Sequence, residues 1–221
     1  MTIFRIIACL SLAGLLAVMA WDSQRRMRSW RGAGSSLVSG FRGVLSRKGT
    51  AQVRSLGRIR SWTGVVSAVL ALLLAATGFL PAILYGIHPS GILLVIHVTL
   101  APLFAVSLAS LALLWAHRLR FEAVDRHSLE RTGTGGVRSM EAAVRFSLKI
   151  GFWTLLGLSL PLMLTIILSL FPLYGTEGET LLIRLHAYSA LLFMLTAFGE
   201  IYILIAYIDL IAGHILKEPK P

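Results

Sequence analysis

Two short stretches of the chain repeat each other, and each delivers a histidine. Leu84-Tyr85-Gly86 leads to His97 and Leu173-Tyr174-Gly175 to His186, with the histidine eleven residues after the glycine in both. An alanine follows each histidine by four residues (Ala101, Ala190) and a phenylalanine by seven (Phe104, Phe193), so the copies keep an offset of 89 residues throughout. Imidazole is the commonest side-chain metal ligand and a frequent axial ligand of haem iron. A lone histidine in an apolar helix is ordinarily a hydrogen-bonded core residue. Two at equivalent places in a duplicated hairpin point instead to a metal or a haem clamped between two helices.

The elements that must position this pair are membrane spans. Apolar residues make up 56% of the 221, charged residues 14%, and the mean hydropathy is +0.78, outside the range of soluble domains. The net charge of +11 falls mainly in two blocks beside long apolar runs, as in cytoplasmic loops. Aromatic residues do not alternate with that charge in the way a nucleic-acid stacking platform requires. Cys9 is the only cysteine, which excludes disulfides within the chain, thiolate-held iron–sulfur clusters and covalent c-type haem. No H-E-x-x-H or G-x-S-x-G motif occurs, so metal-hydrolytic and nucleophilic chemistry find no support.

Residues 3–20 form the first apolar run. Val18-Met19-Ala20 resembles a signal-peptidase site, but between Asp22 and Arg60 stand ten Lys/Arg and one acid. A block of that kind resists export, so an uncleaved first span with its N-terminus outside is expected. Within the basic stretch, Leu37, Phe41, Val44 and Leu45 have the spacing of an amphipathic helix lying on an anionic leaflet, or of a solvated loop with chance spacing. Further spans are expected at 62–84, 91–115, 150–170 and 181–212, with Pro81, Pro102 and Pro161 as local perturbations. Residues 118–149 carry seven Lys/Arg against four acids and form a second cytoplasmic loop. In it, Thr132-Gly133-Thr134-Gly135-Gly136 reads as a turn rather than a phosphate cradle.

The expected fold is therefore all-α and integral to the inner (cytoplasmic) membrane. It comprises a four-helix bundle of two parallel-repeat hairpins plus one extra N-terminal transmembrane helix, with the C-terminus cytoplasmic. The segments are an N-terminal span (1–21), a basic cytoplasmic segment (22–60), the bundle (61–213) and a tail (214–221). A parallel duplication disfavours a transporter of the inverted-repeat type. It also places His97 and His186 at equal depth near the outer face, as a haem with two axial histidines demands. Ala101 and Ala190 leave room for the macrocycle, Phe104 and Phe193 pack on it, and Arg184 either neutralises a propionate or snorkels at the interface.

On this layout, and on His97 and His186, the chain resembles over about residues 61–212 the membrane cytochrome b subunits of respiratory oxidoreductases, the formate dehydrogenase and thiosulfate reductase type. The resemblance implies a four-helix core holding haem b by helix histidines. It also implies a second, deeper haem with ligands about 13 or 14 residues further along. Leu111 and Glu200 stand 14 residues on from the two histidines, so one haem is expected. His117, some 30 Å of helix from His97, reads as an interface residue, as does His214.

Glu200, ionisable within an apolar span, faces a partner or a cavity. It is either a proton acceptor in quinol oxidation or a protonated carboxyl bonded to a hydroxyl such as that of Ser107 or Thr165. Asp209, with Tyr207 nearby, reads as a boundary residue. His88 is an exposed loop histidine or a contact for a propionate, a quinone or an external partner. The expected function is electron transfer between the quinone pool and an outer redox partner, with any catalysis at the far end belonging to another subunit. The alternatives are a haem-free anchor or assembly subunit of a larger complex and, more weakly, a small solute or ion carrier coupled through Glu200.

Overall fold

The structure, a computed structural model, describes residues 2–29, 51–122, 137–171 and 173–207. The readings of 37–45 as an interfacial helix, of 132–136 as a turn, and of Asp209, His214 and the tail lie outside these residues. Among the described residues five α-helices follow in order: α1 (Thr2–Ser29), α2 (Ala51–Leu80), α3 (Gly91–Trp115), α4 (Val137–Ser169) and α5 (Gly175–Ala206), with α2 running on into a π-helical turn at Pro81–Tyr85. Each is long and apolar enough to cross a bilayer, for which about 20 residues suffice. The protein is an all-α integral membrane protein.

The helices outrun the apolar spans. α2 begins at Ala51, inside the stretch expected as a basic segment, α4 begins at Val137 rather than 150, α5 begins at Gly175 rather than 181, and α1 extends past residue 21 to Ser29. Hydropathy marks where the chain must be apolar to meet lipid. A helix needs only backbone bonds and residues such as Ala, Gln, Arg, Glu and Met that tolerate them.

The two Leu-Tyr-Gly turns share one backbone requirement. Gly86 and Gly175 have φ of 69° and 63°, left-handed values that cost a side-chain-bearing residue free energy and glycine almost none. Around the first, Pro81 has no N–H to offer the carbonyl one turn back, and its ring crowds that carbonyl. The helix widens there, and the Gly86 N–H closes on the Pro81 carbonyl. Pro102 and Pro161 lie within continuous helices.

Short connections make α2–α3 and α4–α5 neighbouring pairs, and further contacts run α3–α4 and α2–α5. The four helices therefore stand in a square with α3 and α5 on a diagonal. Helix α1 packs on the flank of this square against α5 and the π-turn. There, Phe4 (7% exposed) and Ala8 (0%) form a core with Ala82, Leu191 and Met194. A second core, Phe104, Leu108 and Phe193, fills the centre of the square with leucines of α2 and α4 around it. Much of the remaining apolar surface faces outward, Leu113 being 84% exposed, as suits a protein whose solvent is lipid.

Candidate functional site

His97 on α3 and His186 on α5 meet across the diagonal, with ring centroids 6.4 Å apart and ring planes at 82°. Each is held by the preceding helix of its own hairpin, not by the opposite one. The Nδ1 of His186 lies 2.9 Å from the Leu162 carbonyl of α4. A carbonyl only accepts, so this nitrogen carries the proton and Nε2 keeps its lone pair. The Nδ1 of His97 lies 2.9 Å from the Thr77 hydroxyl of α2. That hydroxyl is itself 2.9 Å and 3.1 Å from the carbonyls of Leu73 and Leu74. Donating its one proton there, it accepts from His97. Both imidazoles thus present an unprotonated Nε2, and a ring nitrogen pinned by a hydrogen bond is the usual support of a metal-bound histidine.

The backbone of α2 comes close to the pair, and aromatic rings close the space below it. Gly78 lies against His97, where a Cβ would stand 3.2 Å from Cε1. Ala101 and Ala190, half-buried, sit about 6 Å along their helices from the histidines, and Phe104 and Phe193 about 10 Å. The two phenylalanine rings meet edge to face with centroids 5.7 Å apart. The structure brings them together as a floor between α3 and α5.

Metal–nitrogen bonds of about 2.0–2.1 Å on either side of one ion place two imidazole centroids roughly 6–6.5 Å apart. The observed centroid separation of 6.4 Å matches that spacing. Among the described residues, no third His, Cys, Asp or Glu side chain joins the pair. A macrocycle that brings its own four nitrogens suits such a donor set; a hydrolytic metal centre, which takes three protein ligands, does not.

Other residues singled out by sequence stand apart from the pair. Arg184 is exposed and shares a shallow recess with Thr176, Glu177, Thr180 and Leu181 of its own helix. Two residues from His186, it points about 160° away around α5. His88 and His117 are exposed, in the loop before α3 and the turn after it. Glu200 lies some 21 Å along α5 from His186, packed against Gly151 of α4 so closely that a side chain at 151 has no space. Near that level, the Trp153 indole donates to the Leu119 carbonyl just beyond α3 (2.9 Å). Glu200 therefore belongs to the end of the bundle opposite the Leu-Tyr-Gly turns, not to the layer directly beneath the histidines. The hydroxyls of Ser107 and Thr165 donate to carbonyls of their own helices, those of Phe104 and Pro161.

Sequence reading missed Thr77 and Leu162, whose roles appear only when the hairpins fold. Thr77 and Thr165 occupy similar places beside the two histidines, but they are 88 residues apart and so fall outside the 89-residue register. Arg5 was also missed: its guanidinium reaches the Leu84 carbonyl at 3.4 Å and lies against Gly86. Comparison with protein-family models, curated proteins and solved structures finds no match for this chain.

Proposed function

We propose that the protein is a membrane electron-transfer subunit holding one b-type haem between His97 and His186. The observation that carries this reading is the pair of imidazoles, 6.4 Å apart, each supported at Nδ1 from its own hairpin. A haem supplies one-electron oxidation and reduction at its iron. The chain's own contribution is to pin Nδ1 of each imidazole and so leave Nε2 of each for the iron. Gly78 lets the backbone of α2 approach His97, Ala101 and Ala190 are the small residues one turn along, and Phe104 against Phe193 closes the site from below.

The distribution of Lys and Arg supports placing the Leu-Tyr-Gly turns and the start of α1 outside and the opposite end in the cytoplasm of a bacterial-type inner membrane. Retention of α1 is supported by the burial of Phe4 and Ala8 in the bundle. In this orientation the site lies near the outer face, where a quinone or quinol and an outer redox subunit exchange electrons through it. Glu200 lies toward the opposite end, some 21 Å along α5 from His186.

An oxidised-minus-reduced spectrum with a pyridine haemochrome assay on the purified full chain tests the reading. One haem b per chain is expected. A chain expressed with ample haem supply that shows no b-type absorbance is a haem-free anchor or assembly subunit instead.

A further inference from the structure

At the end of the bundle away from the Leu-Tyr-Gly turns, a groove of about 390 Å³ opens between α2 and α3. Helix α2 lines it with Arg58, Trp62, Thr63 and Val66, and α3 with Ser107 and Ser110. The space exists because α3 presents serines where larger side chains would close against α2. The three hydroxyls are already committed: Thr63 donates to the Ile59 carbonyl (2.8 Å), Ser107 to that of Phe104 (2.9 Å) and Ser110 to that of Val106 (2.8 Å). With those protons spent on their own helices, the walls toward the middle of the span offer no hydroxyl donor.

The other end of the groove is different. Arg58 and Trp62 stand one turn apart on the same face of α2 and are exposed. Among the described residues neither has a hydrogen-bonding or ionic partner. Guanidinium and indole N–H donors therefore meet at the end of the groove nearest the membrane surface, and Val66 lies about 12 Å further along the helix toward the midplane. Donors at the surface and an apolar wall below them match the polarity of a phospholipid, and the guanidinium selects an anionic one. The approach to α2 adds to that selection, with ten Lys/Arg and one acid between Asp22 and Arg60.

We propose that this groove binds one anionic phospholipid from the leaflet at the basic end of the bundle, with its phosphate on Arg58 and Trp62 and an acyl chain along Val66 between α2 and α3. The inference is independent of the haem. To test it, the purified full chain in detergent is titrated with dioleoyl phosphatidylglycerol or dioleoyl phosphatidylcholine, which share the same tails, and bound lipid is counted by native mass spectrometry. One phosphatidylglycerol per chain is expected, held roughly fivefold more tightly than phosphatidylcholine. The preference should vanish in Arg58→Gln and survive in Arg118→Gln, which removes an exposed charge from the same end but outside the groove. Ser110→Leu fills the groove and should weaken both lipids together. A photoreactive benzoyl-phenylalanine at position 66 reads the groove in a second way, and its crosslinks should fall on phosphatidylglycerol. Equal binding of the two lipids by the unsubstituted chain overturns the proposal, as does an equal loss of preference in Arg118→Gln, which would make it a property of diffuse charge. Crosslinks from position 66 to another segment of the chain, or to a second copy, overturn it too.

Discussion

The hairpins α2–α3 and α4–α5 carry the same turn sequence and build it differently. In the first, a proline opens a π-turn, five residues (86–90) intervene before α3 begins, and Arg5 of α1 lies over the glycine. In the second, Gly175 itself starts the next helix and a Cβ there would meet nothing within 4 Å. Common to both are a left-handed glycine, a histidine eleven residues on, a small residue one turn further and a phenylalanine meeting its counterpart. The duplication has kept what sets the depth and clearance of an imidazole. The turns themselves differ, and Arg5 of α1 lies over the glycine of the first.

The strongest way to break the equivalence of the halves is to remove one ligand at a time. His97→Ala and His186→Ala should each abolish bound haem, measured as pyridine haemochrome per chain, whereas His117→Ala should leave it unchanged. Haem retained after either of the first two substitutions would mean that the halves do not contribute equally. Next in size is Phe4→Ala. It empties a buried ring that stacks on Phe79 (centroids 6.1 Å) and meets Tyr188 edge-on (5.4 Å), and it should lower stability in detergent by about 3 kcal/mol or more.

The turns give a smaller and more pointed contrast. Gly86→Ala meets both the left-handed backbone and the Arg5 side chain, 3.0 Å from the new Cβ, and should cost about 2 kcal/mol. Gly175→Ala meets backbone strain alone and should cost about 1 kcal/mol. Thermal unfolding of the two variants side by side reads the difference, and equal losses would show that α1 does not brace the first turn.

Much of this architecture was legible in the chain. Five apolar runs of spanning length appear as five helices, and the repeat placed His97 and His186 opposite each other before any packing was known. Helix ends were not legible, since the polar residues after Ala51 and Val137 continue a helix that hydropathy cannot follow. Glu200 stands nearer the end of its helix than a span of 181–212 suggests, because α5 runs Gly175–Ala206, and the neighbouring Tyr202 hydroxyl reaches the Asp22 carboxylate at 2.7 Å. The hydrogen-bond partners of the histidines lie 20 and 24 residues away, across a turn. No local pattern announces an acceptor that only the folded hairpin brings near.

Helix α1 has a consequence for how the molecule is made. Its seat is built largely from α5, and Tyr202 approaches the Met19 carbonyl at 2.9 Å across 183 residues of sequence. Helix α1 therefore finds its main partner only after α5 has been synthesised. Until then Phe4 and Ala8 face lipid or a chaperone, and the bundle is an unclosed ring. Closure is thus a late step in biogenesis. A ribosome stalled before α5 would release a chain whose α1 is inserted but lacks its principal docking surface, and that open edge is one a membrane quality-control protease can recognise.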